Sequence, residues 1–254
     1  MSLNVYAIIK ENQSKGKKSL AILLDPDKID FQNIGQTIQV LYHISPDIIL
    51  VGGSLMLNND LDKLVEVIKK ETPFAVMLFP GSSLHISPSA DAILFLSLIS
   101  GRNPEFLIGQ HVHAAPIIKR TGLEVISCGY MLVDCGKATT ANYMSNTLPI
   151  PYNKPEIATC TALAGELLGL KSIYLDGGSG AEKYISSAMI KQVKASLSIP
   201  LIVGGGIRSV KAAIDCYSAG ADMLVLGTIF EKDVALTTEI SSIREHFSKS
   251  LTSK

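Results

Sequence analysis

Five short stretches of the chain carry residue types that can do chemistry. Asp25-Pro26-Asp27-Lys28 offers carboxylates and an ammonium, and Gly52-Gly53-Ser54 offers a hydroxyl. Tyr174-Leu175-Asp176-Gly177-Gly178-Ser179-Gly180 combines a phenol and a carboxylate with a glycine-rich turn. Gly204-Gly205-Gly206 and Gly227-Thr228 let backbone N–H groups approach an anion closely. Asp25 and Ser54 form a hard-oxygen pair suited to Mg2+, which keeps several waters and takes its other oxygens from a bound diphosphate. Asp-Pro-Asp also reads as a capped helical start; the cap is expected at Asp27 and the metal at Asp25. Tyr174 and Asp176 stand two apart and leave a strand on the same side. Asp176 is therefore a candidate general base or hydroxyl orienter, or else a turn aspartate bonded to its own loop.

These stretches follow apolar runs at 20–24, 47–51, 74–79, 92–96, 124–133, 172–175, 201–203 and 223–226. The runs are continuous rather than alternating, as strands buried on both faces are. Between most of them lie segments of helical period, at 31–44, 61–71, 104–120, 155–168, 188–197 and 210–219, with a leading helix over 4–12 and a final one over 234–247. This alternation predicts an α/β fold, a TIM-type (β/α)8 barrel, with 1–254 as one domain. The candidate stretches then converge on the rim where barrel active sites form, and the loops after the seventh and eighth strands are where such barrels hold phosphate. One interval is too short. A strand, a helix and two turns need roughly 30 residues, and 74–92 cannot supply them. The third helix is expected to be missing or replaced by an extended segment, leaving a gap for a long apolar ligand, that segment or a neighbouring subunit.

Composition narrows the function classes. The 254 residues carry 23 Lys and Arg against 23 Asp and Glu, so nucleic acid is not an expected partner. The longest uncharged stretch, 72–90, is broken by Pro73, Pro80, Gly81 and Pro88 and cannot form a transmembrane helix. Cys128, Cys135, Cys160 and Cys216 form no C-x-x-C pair, which fits a reducing compartment, and the first residues lack a cleavable signal pattern; a cytoplasmic location is expected. His111 and His113 point apart on a helix and are read as structural. The run 106–118 is too apolar for a solvated face; with Tyr143 in the polar loop 135–154 it suggests a homodimer or a hexamer of dimers.

LLDPDK (23–28), VGGS (51–54), FPGS (79–82), LFLSLISGRNPEFLIGQ (94–110), PIPYNKPEIA (149–158), YLDGGSGA (174–181), PLIVGGGIRS (200–209) and AGADMLVLGT (219–228) together resemble one family over nearly the whole chain. It comprises the geranylgeranylglyceryl phosphate synthases, prenyltransferases of ether-lipid synthesis, and their bacterial heptaprenyl relatives. The resemblance implies a barrel without its third helix, a prenyl chain in the resulting groove, and Mg2+ at Asp25 and Ser54. It further implies sn-glycerol 1-phosphate held by Tyr174, Leu175, Asp176, Gly177, Gly178, Ser179, Gly180, Gly205, Gly206, Gly227 and Thr228, with Asp176 and Tyr174 at the reaction centre and a long-chain prenyl diphosphate as co-substrate. The family often carries Glu and Ala where this chain has Asp176 and Gly177, and Asp is shorter by roughly 1.5 Å of reach. An allylic cation is a strong electrophile, so a carboxylate of ordinary pKa is expected to suffice. Three rivals share the glycine loops: a sugar-phosphate isomerase or lyase, a flavin mononucleotide enzyme and a non-catalytic phosphate-ligand binder.

Overall fold

Eight strands rich in Leu, Ile and Val pair in parallel and close on themselves in chain order: β1 (Ser19–Leu24), β2 (Ile48–Gly53), β3 (Ala75–Pro80), β4 (Ala92–Leu98), β5 (Glu124–Leu132), β6 (Ser172–Asp176), β7 (Leu201–Gly204) and β8 (Met223–Leu226). The computed structural model describes residues 4–228, 230 and 233–249; 1–3 and 250–254, which the single-domain expectation takes in, lie outside the described residues. Successive strand side chains face opposite ways, which divides the core in two. Ala21, Leu50, Met77, Leu94, Tyr174 and Val225 belong to the cluster inside the barrel. Leu20, Ile22, Ile49, Val76, Leu175 and Val203 pack outward against the helices.

The outer ring consists of α2 (Ile34–Ile44), α3 (Leu61–Glu71), α4 (Gln110–Thr121), α6 (Pro155–Leu167), α7 (Ser187–Ser196), α8 (Val210–Ala219) and α9 (Val234–Lys249). Before them, α1 (Val5–Ser14) places Val5 and Ile9 in the interior cluster and thereby closes one end of the barrel. Its free N–H groups meet the Glu124 carboxylate, at 2.6 Å from Val5 N and 3.2 Å from Tyr6 N, a favourable place for negative charge.

No described residue between β3 and β4 is helical. Asp91 holds this segment by accepting from Val76 N at 2.8 Å and pairing with Lys69. The expected omission of the third outer helix is thus present. Strand β4 shows the consequence, because the outward-facing Phe95 and Ser97 are only partly buried, where a strand covered by a helix would be dry on both faces.

Three local expectations are corrected. Helix α2 starts at Ile34 rather than 31, because Asp30 accepts from Gln32 N (2.9 Å) and Asn33 Nδ2 (2.7 Å) and holds 30–33 as a turn. The 104–120 helix opens with a wider π-helical turn, Glu105–Gly109, before α4. The loop 135–154 contains the short helix α5 (Thr140–Ser145), capped reciprocally by Thr139 and Asn142. Asn142 stands where the usual Glu or Gln of that box would, so its signal in the sequence is weak. Among the described residues, no helix is long and apolar enough to cross a membrane.

Candidate active site

At the C-terminal ends of the strands, one polar cavity gathers Asp25, Lys28, Gly53, Ser54, Tyr174, Asp176, Gly178, Ser179, Gly180, Gly205, Gly206, Gly227 and Thr228. All but Leu175 and Gly177 of the residues expected at the site therefore line a single mouth. Leu175 faces the helices and offers only strand backbone, and Gly177 lies behind the loop, where an added β-carbon would stand 3.1 Å from the Cys135 thiol. Strand β2 is diametrically opposite β6 in the eight-strand order, so Ser54 faces Asp176 across the opening.

The loops after β6 and β7 interlock. Gly205 has φ +80°, and a β-carbon on it would lie 2.7 Å from Asp176 Oδ1 and 2.6 Å from Gly178 N. Glycine is therefore required by both conformation and space. Its neighbour Gly204 leaves room for the Tyr174 hydroxyl, which would sit 2.3 Å from an added β-carbon. Ser179 and Thr228 hydroxyls approach at 3.4 Å, linking the β6 and β8 loops. Backbone N–H groups, hydroxyls and the absence of side chains make this corner suited to an anion such as a phosphomonoester.

Asp176 is 6% exposed. Its Oδ2 accepts from the Tyr130 hydroxyl at 2.6 Å and its Oδ1 from Gly178 N at 2.7 Å. The sequence left open whether Asp176 faces a ligand or bonds its own loop; it does bond its loop, while still lining the mouth. Burial pushes its carboxyl above the usual range, opposed by the bonds from Tyr130 and Gly178. The cause is desolvation inside the barrel, an environment beyond the ordinary carboxylate that the chemistry is expected to need. The strand end at Gly177 is held on both sides: Asp176 O accepts from Val133 N (3.0 Å) and Gly177 N donates to Gly204 O (3.0 Å).

Tyr130 had no place among the expected site residues. Its register partner on β6 is Tyr174, and the rings of Tyr130, Tyr174 and Phe79 meet pairwise at 5.5–5.9 Å. Burial drives both phenols well above their usual pKa, so Tyr130 stays protonated and donates to Asp176.

The two aspartates near β1 exchange their expected roles in part. Asp25 caps the turn Pro26–Lys28 by accepting from Asp27 N at 3.2 Å, and pairs with Lys28 at 3.1 Å. Asp27, expected as the cap, accepts instead from Leu57 N (2.6 Å) and Asn58 N (2.9 Å), fastening the loop after β2. The partners lie 30 and 31 residues away in sequence, beyond the reach of local turn rules. The Asp25 carboxylate remains 3.6 Å from the β-carbon position of Gly53, next to Ser54. Among the described residues no three His, Cys, Asp or Glu side chains gather as a metal cage. One carboxylate and one hydroxyl facing an open mouth is the donor set Mg2+ uses when ligand phosphates complete its shell, so these residues fit the ion.

A second, apolar cavity starts at Gly53, Ser54 and Phe79, which both cavities share, and runs past Phe95, Leu96, Phe106 and Ala114 to Ile118. It occupies the gap left by the missing helix, between β4 and α4. His111 lines it, edge-on to Phe95 at 4.4 Å with Nε2 3.2 Å from Ser97 Oγ, and His113 is exposed. Thus a polar mouth suited to anions opens directly into an apolar groove.

A profile of the PcrB family matches residues 11–246. The geranylgeranylglyceryl phosphate synthase of Spirosoma linguale is 47% identical over 96% of this chain and 98% of its own; that of Korarchaeum cryptofilum is 37% identical over 93% and 96%. The crystal structure of (S)-3-O-geranylgeranylglyceryl phosphate synthase from Thermoplasma acidophilum in complex with its substrate sn-glycerol-1-phosphate matches with a TM-score of 0.88 at 33% identity, covering 98% of this chain and 100% of that one.

Proposed function

The chain belongs to the PcrB family, and from that premise we propose that it is a prenyltransferase forming an ether bond between the 3-hydroxyl of sn-glycerol 1-phosphate and C1 of geranylgeranyl diphosphate. The single observation that carries the reading is the junction at Ser54 and Phe79, where the anion-binding mouth becomes the apolar groove. An isomerase or lyase of sugar phosphates has no use for such a groove.

On this reading the glycerol phosphate lies on the β6–β8 side, its anion over Gly205, Gly206, Gly227, Thr228 and the Gly178–Gly180 loop, beside Tyr174. The prenyl chain fills the groove, with its diphosphate toward Asp25, Ser54 and Lys28. The C1–O bond to diphosphate breaks, the bond from the glycerol oxygen to C1 forms, and the hydroxyl proton passes to Asp176. Asp176 is held in one orientation by Tyr130 and Gly178, and the aromatic trio keeps water from the allylic carbon. Asp25 and Ser54 would hold Mg2+, which when bound would supply Lewis-acid neutralisation of the diphosphate charge.

Incubating the purified protein with geranylgeranyl diphosphate and sn-glycerol 1-phosphate tests the proposal. The mass of the ether product is expected, with Mg2+ required and EDTA suppressing it; absence of product with Mg2+ supplied would overturn the reading. The pH profile adds a second check. Asp176 acts as base only when ionised, so kcat/KM falls as pH drops through its raised pKa. Tyr130→Phe deletes a bond that favours the ionised form, so the acidic limb moves to higher pH. An unmoved limb would separate Tyr130 from the titration.

The proposal also includes a cytoplasmic enzyme that meets membrane surfaces only through its lipid substrate and self-associates as a dimer or hexamer. Ile108, Val112, Ile117 and Tyr143 stand exposed on the outer side of the 105–121 segment and on α5, where self-association would cover them. Sedimentation of a monomer at micromolar concentration would count against this part.

A further inference from the structure

Lys137 belongs to the loop after β5, for which neither the motifs nor the mechanism above has a use, yet it lines the mouth. Its Nζ lies 3.8 Å from where a β-carbon on Gly180 would stand. The loop is firmly seated. The carbonyl of Cys135 accepts from both Glu182 N and Lys183 N at 3.0 Å, and the Thr139 side chain packs so closely on Gly178 that a β-carbon there would be 2.5 Å from Thr139 Oγ1. Lys137 is thereby carried over the Gly178–Gly180 turn by backbone on both sides of it.

The three cations of the mouth are Lys28, Lys137 and Arg208. Lys28 pairs with Asp25 at 3.1 Å. Arg208 donates to the Gly180 carbonyl at 2.9 Å and so tethers the turn from its other side. Among the described residues, Lys137 makes no ion pair. An ammonium left uncompensated beside glycine-rich backbone that offers N–H groups is placed to meet an anion. Its position on the β6 side, across the opening from Asp25 and Ser54, separates it from the end assigned to the prenyl diphosphate.

We propose that Lys137 binds the phosphate of the acceptor substrate, a phosphomonoester, through charge supplied from the β5 loop onto the Gly178–Gly180 turn. This inference rests on the function proposed above for the same mouth. Lys137 is exposed, so its replacement leaves the fold intact.

Initial rates and calorimetry on the full chain test it. With geranylgeranyl diphosphate saturating, Lys137→Met raises the KM for sn-glycerol 1-phosphate at least about tenfold, as loss of a charge-assisted bond would, while kcat and the KM for the prenyl diphosphate change little. Lys137→Arg restores most of the affinity. The wild-type KM rises with added salt and that of Lys137→Met rises less, a screening response that a merely structural residue would not give. Calorimetric binding of inorganic phosphate weakens by a similar factor in Lys137→Met, a measurement that does not depend on turnover. An unchanged KM and unchanged phosphate affinity in Lys137→Met would overturn the inference, as would a rise confined to the prenyl diphosphate. Failure of the wild type to form the ether would instead remove the functional reading, with the phosphate titration still deciding for or against Lys137.

Discussion

Asp176→Asn lowers kcat by about 10²- to 10⁴-fold, the usual worth of a positioned general base, with little change in the KM for glycerol phosphate. The amide keeps the geometry: its oxygen accepts from Gly178 N, and its NH2 faces the Tyr130 oxygen, at the positions where the carboxylate now makes its bonds. What is lost is the capacity to take a proton. The substitution does not unfold the protein. Because the folded state raises the Asp176 pKa through burial, it favours the neutral form; this contribution to stability is present at low pH and is lost as pH rises through the raised pKa. Above that raised pKa, where the carboxylate is ionised, its charge is thus a cost, and an uncharged amide is tolerated as well or better. Thermal unfolding and steady-state kinetics measured together check both halves. Wild-type turnover in a folded Asp176→Asn protein would remove this residue from the chemistry.

The second large effect concerns the groove. Ala114 is 7% exposed on α4 and faces the cavity near its Ile118 end. Because α4 runs back from the rim, this is the end far from Ser54. Ala114→Phe therefore shortens the groove while leaving the mouth untouched. Five carbons of an isoprene unit at about 0.8 kcal/mol per buried methylene amount to about 4 kcal/mol as an upper bound, so kcat/KM for geranylgeranyl diphosphate falls by up to about 10³-fold. Geranyl diphosphate, which does not reach that depth, keeps its wild-type rate, and this retained activity also shows that the variant is folded. A uniform loss across chain lengths, or none, would contradict the placement of the tail.

The architecture was legible because its signals are periodic. Uninterrupted apolar runs gave the strands, and the short interval before Ala92 gave the missing helix, with β4 left half-covered as its result. Residues at strand ends were legible for the same reason, since the barrel fixes where strand ends meet. Side-chain partnerships made across the fold were not. Tyr130 sits inside an apolar run, and only the register that pairs it with Tyr174 brings its hydroxyl to Asp176. Asp27 caps nothing locally because it is held by the loop after β2. The raised pKa of Asp176 depends on burial within the closed barrel, which the surrounding glycines of its own loop do not reveal. Lys137 lies in a loop whose path is set by the contacts that Cys135 and Thr139 make with Glu182, Lys183 and Gly178 rather than by any repeat.

The central claim is that two substrates meet at the junction of mouth and groove. A crystal structure with sn-glycerol 1-phosphate and a non-hydrolysable thio analogue of geranylgeranyl diphosphate tests it most directly. The account predicts the phosphate against Gly205, Gly206 and Thr228, the tail between β4 and α4 past Phe95 and Ala114, and the glycerol 3-hydroxyl beside Asp176 at about 3–3.5 Å from the allylic carbon. A tail lying outside that groove, or a hydroxyl turned away from Asp176, would contradict it.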